Sequence, residues 1–118
     1  MGNRRYLIST VAALALFATP AIADYAPLNC AKAGTVTERV ICTNYELGQA
    51  EARVATLYDW STAFVAMGQR GDIADAQREF LKTRGACKAN IRCLRNAYDA
   101  RIKELDAVMT RIKEKGPF

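Results

Sequence analysis

Four cysteines are the residues of this chain whose type and spacing most directly suggest chemistry. Eleven residues separate Cys30 from Cys42, and five separate Cys87 from Cys93. Thiolates can bind zinc, but the chain has neither a C-x2-C step nor a histidine, which argues against a zinc site. We therefore expect disulfides, for which four cysteines allow three pairings. Local pairing is favoured because each pair brackets a turn beside a predicted helix.

The chain lacks the side chains that most catalytic sites require. It contains no histidine, which removes the usual general base and the commonest metal ligand. Cysteines held in disulfides offer no thiolate nucleophile. Ser61 has no base at a recognisable spacing, and helix capping and a solvated face account for Asp72 and Asp75. Since a glycine-rich phosphate loop is also missing, we expect neither an enzyme nor a bound cofactor.

Residues 1–23 have the pattern of a signal peptide. Arg4 and Arg5 supply positive charge, residues 6–17 form an apolar run too short to span a bilayer, and Ala21-Ile22-Ala23 resembles a cleavage site. The paired arginines also fit a twin-arginine signal, but such pairs are common and favour the general export route. A retained membrane anchor is the alternative, against which the short run and the cleavage site argue. We expect a soluble periplasmic or secreted domain, residues 24–118.

The charge of this expected mature domain is mildly positive. Without Arg4 and Arg5, the 17 basic residues become 15 against 12 acidic ones, which is a net charge of +3. These charges are scattered along the sequence, so they do not form the footprint of a nucleic-acid-binding protein. A domain of this size buries a thin core, and disulfides are a common source of additional stability in exported proteins.

Local signals in the N-terminal half predict a short helix followed by a long one. Residues 24–33 contain a proline and are predicted to be extended. Thr35 and Glu38 match a capping box, which predicts a short helix over residues 36–42. Asn44 is a favoured N-cap for the next helix. The apolar face of that helix is predicted to carry Leu47, Ala50, Val54, Leu57, Ser61 and Phe64.

The C-terminal half predicts two more helices. Gly68-Gln69-Arg70-Gly71 predicts a loop, Asp72 is a favoured N-cap for a helix over residues 73–84, and Gly85 is well placed to end it. The inner face of this helix is predicted to carry Ile73, Gln77, Phe80 and Leu81. The last helix begins near Ile91, and its predicted apolar stripe is Ile91, Leu94, Tyr98, Ile102, Leu105, Met109 and Ile112.

No stretch of the chain alternates with the period of a β-strand, and the predicted helices are joined by short loops. We therefore predict an all-α fold: a small disulfide-stapled antiparallel helical bundle with three main helices and one short N-terminal helix.

A set of positions across residues 29–105 combines the cysteine spacing with a Gln-x2-aromatic-Leu-x2-Arg-x2-Cys segment. Its members are Cys30, Thr35, Glu38, Ile41, Cys42, Leu47, Tyr58, Gln77, Leu81, Arg84, Cys87, Cys93, Leu94, Tyr98, Arg101 and Leu105. This combination resembles the LprI family of small exported proteins, which is named after a lysozyme inhibitor. The chain departs from the family pattern at three positions. Phe80 replaces a usual Trp, Gly85 replaces a usual Asp, and Glu51 replaces an Asp.

The resemblance implies a helical domain with Cys30–Cys42 and Cys87–Cys93 disulfides, an envelope location and lysozyme as a possible target. The matched residues are mostly of structural types. Tyr58 and Tyr98 are expected on inner helix faces with their hydroxyls near polar partners. The polar residues expected to tie helix ends together are Glu38, Gln77 and Arg84.

Two polar segments are candidate partner-binding elements. A protein that plugs the glycan cleft of lysozyme needs a rigid loop whose donors reach the catalytic carboxylates. Gln69 and Arg70 fit this requirement, and so do Lys88, Asn90 and Arg92 between two cysteines. Both segments also fit ordinary polar connections between helices. Long-range charge opposes this partner, because typical animal lysozymes are basic and the predicted mature domain is basic too.

Two other functions fit the same sequence. Basic residues of the last helix could bind an anionic envelope surface or partner, and these are Arg92, Arg95, Arg101 and Lys103. Alternatively, the domain could serve as a structural or interaction protein in a larger assembly. Trp60 lies off the main apolar stripe of its helix, so it would be an interface anchor or a satellite core residue.

The predicted export signal can be tested by intact-mass measurement of protein recovered from the bacterial periplasm. We expect an N-terminus at Asp24, because signal peptidase reads the small residues at positions −3 and −1. Protein that retains Met1, or that carries lipid at Cys30, would contradict this prediction.

Overall fold

The computed structural model describes Gly2 and residues 28–116, and this part of the chain is all-helical. A 3-10 helix, Cys30–Lys32, is followed by four α-helices without any strand among the described residues. The α-helices are α1 (Val36–Thr43), α2 (Tyr45–Ala63), α3 (Met67–Ala86) and α4 (Ile91–Lys115). The predicted all-α class is confirmed. The predicted signal peptide lies outside the described residues, apart from Gly2.

None of the helices in residues 28–116 has the length and apolar character needed to cross a bilayer. Disulfides join Cys30 to Cys42 and Cys87 to Cys93, with Cα–Cα distances of 5.7 Å and 5.5 Å. The prediction of disulfide bonds is therefore confirmed.

The start of α1 follows the predicted capping box. The Thr35 Oγ1 accepts a hydrogen bond from the Glu38 backbone N–H at 3.1 Å, and the Glu38 carboxylate accepts from the backbone N–H groups of Thr35 and Gly34. These backbone donors lower the pKa of Glu38 below its usual range. The extended conformation predicted just before α1 is wrong at Cys30–Lys32. A 3-10 turn forms there, with Lys32 donating to the Asn29 carbonyl at 3.0 Å.

Helix α2 begins as predicted, because the Asn44 Oδ1 accepts from the Leu47 N–H at 3.1 Å. Leu47, Val54 and Ser61 are buried along one face, in agreement with the predicted stripe. Phe64 was predicted to extend this face, but it follows the last helical residue and is 47% exposed. The chain turns at this point, so the ring no longer points into the face that α2 buries.

Helix α3 starts earlier than the sequence indicated. The predicted loop over residues 68–71 and the predicted N-cap Asp72 are both wrong, because α3 begins at Met67 and continues through these residues. Ala66 is the N-cap, without a side-chain hydrogen bond, and its carbonyl accepts from the Arg70 N–H at 2.9 Å. A glycine costs about 1 kcal/mol relative to alanine inside a helix, and tertiary packing farther along α3 outweighs this cost.

Two further expectations for α3 are corrected by the structure. Leu81 is 42% exposed rather than on the inner face, which instead carries Ile73, Phe80 and Arg84. These residues are seven and four apart, which is the spacing of one helical face. Gly85 does not end the helix, since α3 continues to Ala86.

The long helices pack on one another through a common core. Glu46 forms an ion pair with Arg95, and Arg53 forms one with Asp106, so α2 and α4 run in the same direction. Helices α3 and α4 run in opposite directions, because Arg84 contacts Tyr98 whereas Ile73, earlier in α3, contacts Arg101, later in α4. The core cluster comprises Ile41, Leu47, Val54, Ile73, Phe80, Cys87, Leu94, Tyr98 and Leu105.

The helical state of residues 68–71 predicts that Gly71→Ala stabilises the protein. A Cβ at Gly71 would meet no atom within 4 Å, and alanine in a helix interior is more favourable than glycine by about 1 kcal/mol. We expect the free energy of unfolding, measured by urea denaturation, to rise by roughly 0.5–1 kcal/mol. A neutral or destabilising effect would contradict the position of the helix start.

Candidate functional site

The turn that joins α3 to α4 is held in one conformation by several local interactions. Its backbone closes with hydrogen bonds from Lys88 to the Gly85 carbonyl at 3.2 Å and from Asn90 to the Cys87 carbonyl at 3.0 Å. The backbone of Lys88 is left-handed, with φ of 51°. The Cys87–Cys93 disulfide ties the end of α3 to the first turn of α4. We refer to residues 87–93 as the Cys87–Cys93 turn.

The three candidate binding residues of this turn have different roles in the structure. The Asn90 Oδ1 accepts from the Cys93 N–H at 2.9 Å and caps α4, so its side-chain oxygen is already engaged. Lys88 and Arg92 are exposed. Neither forms an ion pair with any residue in the described part of the chain. The turn therefore presents two cations that are available to a partner.

The second candidate segment, Gln69 and Arg70, is not a loop. Both residues lie in the first turns of α3, and the Arg70 Nε donates to the Thr62 carbonyl at 2.9 Å. From Arg70 to Ala86 the helix rises by about 24 Å, at about 1.5 Å per residue. The structure thus places the two candidate segments at opposite ends of α3, and it does not bring them into one site.

A buried polar cluster joins all three long helices. The Arg84 guanidinium of α3 donates to the Glu51 carboxylate of α2 at 2.8 Å, and the Tyr98 hydroxyl of α4 donates to the same carboxylate oxygen. The exposed fractions of the Glu51 and Arg84 side chains are only 10% and 11%. The sequence indicated polar partners for Arg84 and Tyr98, but it did not identify Glu51 as the carboxylate that they share.

The protonation of this cluster follows from its burial and its charges. Burial raises the pKa of Tyr98 well above its usual range, and the neighbouring Glu51 carboxylate raises it further. Burial alone would lower the pKa of Arg84, but Glu51 and Tyr98 outweigh that effect and the pKa is raised. The tyrosine therefore remains a neutral donor and the arginine remains charged. This arrangement suits a structural cluster rather than proton transfer near neutral pH.

Arg101 was predicted to contribute to an exposed basic face, and this prediction is wrong. Its side chain is 4% exposed. It donates to the Gln77 side chain at 3.0 Å, to the Ile73 carbonyl at 3.2 Å and to Glu104 at 3.0 Å. The position follows Tyr98 by three residues and precedes a core leucine by four. That spacing places it on the buried stripe of α4 and could have revealed its role.

The other members of that predicted basic face differ in their environments. Arg95 donates to Glu46 of α2 at 2.6 Å. Lys103 is exposed and has no ion pair with the described residues. In the described part of the chain, no group of three or more acidic or cysteine side chains is arranged to hold a metal ion.

Comparison of the chain with protein-family models, with curated proteins and with solved structures gave no match.

The buried Tyr98 hydroxyl predicts a specific loss of stability in alkali. A tyrosine in the unfolded chain ionises near pH 10, whereas folded Tyr98 keeps its proton because its pKa is raised. Above about pH 10 the unfolded state therefore binds fewer protons than the folded state. Its contribution to the free energy of unfolding should fall by about 1.4 kcal/mol per pH unit until the raised pKa is reached.

The variant Tyr98→Phe isolates this contribution, since it keeps the ring and removes the ionisable hydroxyl. Urea denaturation between pH 8 and pH 11 should show a steeper decline for the wild-type protein than for Tyr98→Phe. All other groups are common to both proteins, so their contributions cancel in the difference. Parallel stability curves for the two proteins would show that Tyr98 does not titrate as the buried contacts require.

Proposed function

We propose that this protein is an exported binding module of the LprI kind, a disulfide-stapled antiparallel helical bundle that inhibits lysozyme through its Cys87–Cys93 turn. The observation that carries the proposal is the pair of exposed cations, Lys88 and Arg92, on a turn closed by a disulfide. The resemblance to the LprI family supplies the target, a glycan cleft that contains catalytic carboxylates.

The chemistry of the turn is complementary to such a cleft. An ammonium and a guanidinium are charge-assisted donors to carboxylates. Their hydrogen-bonding capacity is not used within the described part of the chain. The disulfide and the Asn90 cap restrict the turn before it binds, which reduces the conformational entropy lost on association.

The Gln69 and Arg70 segment is the weaker candidate for this role. It lies on the wall of a helix rather than on a protruding turn, and the Arg70 Nε already donates to a backbone carbonyl. The separation of about 24 Å along α3 means that one narrow cleft does not hold both segments. We therefore assign the binding role to the Cys87–Cys93 turn alone.

Net charge shapes the expected binding behaviour. The mature domain is expected to carry a net charge of +3, so long-range repulsion from a basic lysozyme opposes the encounter. Binding must then rest on short-range contacts at the turn. Because salt screens the long-range repulsion, inhibition should persist at moderate ionic strength.

The test is a titration of lysozymes of different classes with the exported protein, read as lysis of bacterial cell walls. Arg92→Glu should weaken inhibition at least thirtyfold, since reversing a buried interfacial charge costs about 2–5 kcal/mol. Glutamate is favoured in the first turn of a helix, so α4 should form normally. Arg70→Glu is the matched control, with the same charge change in the first turns of α3, and it should leave inhibition nearly unchanged.

Two outcomes would contradict this proposal. The first is that excess folded protein inhibits no lysozyme of any class. The second is that Arg70→Glu weakens inhibition as much as Arg92→Glu does, which would point to net charge rather than the turn. Circular dichroism of both variants checks that helicity is retained.

An envelope accessory or structural interaction protein without lysozyme activity is the second candidate function. The observation that favours it is the exposure of large apolar side chains at the connection between α2 and α3, including Trp60 at 55%, which could contact either an envelope surface or a protein. To separate the two functions, the exported domain is used to capture periplasmic proteins, and the free Arg92→Glu variant is then added as a competitor for each captured partner. A partner whose binding does not depend on Arg92 supports the second.

A further inference from the structure

Three large apolar side chains are exposed together where α2 meets α3. Trp60, Phe64 and Met67 are 55%, 47% and 80% exposed, respectively. The ring centroids of Trp60 and Phe64 lie 5.7 Å apart, so the two aromatic side chains form one surface. Met67 follows at the first residue of α3. We refer to this surface as the α2–α3 tip.

Basic side chains border the α2–α3 tip. Arg111 and Lys115 of α4 line the same surface depression as Phe64. Arg70 lines a neighbouring depression, together with the acidic Asp59. None of these four charged residues forms an ion pair with another residue of the described chain. The border therefore carries three cations against one anion.

We infer that the α2–α3 tip docks on the surface of an anionic lipid bilayer. Apolar and aromatic side chains surrounded by Lys and Arg are the composition of surfaces that bind at the bilayer interface. Tryptophan is enriched at the depth of the headgroups, and each Lys or Arg near an anionic surface adds to the attraction. The docking is peripheral and is independent of the Cys87–Cys93 turn, which lies at the other end of α3.

The size and position of the tip favour lipid over a protein partner. The three partly exposed side chains present roughly a few hundred Å² of apolar surface. A standard protein interface buries roughly 800 Å² on each partner, which is more. The apolar residues occupy a connection between helices rather than a helix-length groove, so a partner helix would find no continuous surface. A bilayer needs neither a groove nor a large preformed area.

Trp60 makes the inference directly measurable, because it is the single tryptophan of the chain. Exported protein is added to vesicles of phosphatidylglycerol and phosphatidylcholine at low salt, and to vesicles of phosphatidylcholine alone. We expect a blue shift of Trp60 emission and co-sedimentation with the anionic vesicles, both reduced by added salt. Every variant carries the same N-terminus, so differences between variants report the tip.

Two matched pairs of variants test the apolar and basic parts separately. Met67→Asp should lower vesicle partitioning at least tenfold, whereas Tyr45→Asp should not. Both positions are exposed first residues of long helices, where aspartate is tolerated. Arg111→Glu should lower partitioning about tenfold, against less than threefold for Lys103→Glu, which makes the same charge change elsewhere on α4.

Three results would overturn the inference. The first is the absence of any vesicle-dependent change in Trp60 emission at low salt. The second is an equal loss of partitioning in the matched controls. The third is a Trp60 response to an acidic polypeptide such as polyglutamate without one to vesicles, which would assign the tip to a protein partner.

Discussion

The structure depends on one buried carboxylate that is shared by three helices. Glu51 of α2 accepts from Arg84 of α3 and from Tyr98 of α4, so the cluster fixes how far each helix slides along its neighbours. Removing one partner of a buried charge pair typically costs about 3–5 kcal/mol, because the other charge is left uncompensated. Replacing the whole cluster with apolar side chains would avoid that penalty, so the cluster is not required for stability alone. Its clearest contribution is to specify which helix faces meet.

The surroundings of this cluster strengthen that specification. The ring of Phe80 packs edge-on against Tyr98, with centroids 5.4 Å apart, and the Arg84 guanidinium lies 5.9 Å from the Phe80 ring centroid. The cluster is not fully satisfied, since the Arg84 Nε has no hydrogen-bond partner in the described part of the chain. A second buried arginine, Arg101, bonds to the Ile73 carbonyl and so holds α3 farther along. Two arginines in a thin core thus tie α3 to its neighbours.

Most of the local structure could be predicted from the sequence, because capping residues and apolar spacing act over a few positions. The capping box at Thr35, the N-cap at Asn44 and the stripe of α4 from Leu94 to Ile112 are of this kind, and all three agree with the structure. Ile91, which was predicted to begin that stripe, is 41% exposed, so the prediction is wrong at this position. The start of α3 could not be predicted in the same way. Its glycines indicate a loop locally, whereas the helix is maintained by burial of Ile73 and Phe80 on other helices.

The candidate site was predictable in composition but not in geometry. The Cys87–Cys93 spacing and the polar residues within it indicated a constrained turn. Asn90, immediately before Ile91, is also a favoured N-cap type, and it caps α4 in the structure. The sequence did not reveal that Arg70 lies at the opposite end of α3 from this turn, or that Arg101 is buried. Arg101 is buried by contacts with residues 24 and 28 positions away. Arg70 lies far from the turn because α3 is longer than local signals indicated.

The charged residues that hold the fold are distinct from those of the proposed binding surfaces. The buried arginines are matched by Glu51 or by carbonyl and amide oxygens, so they contribute to the fold and not to the surface. The exposed cations of the two proposed binding surfaces lie near the two ends of α3. Substitutions there leave the shared carboxylate and its partners in place. The exposed side chains at each end of α3 can therefore differ without changing how α2, α3 and α4 pack.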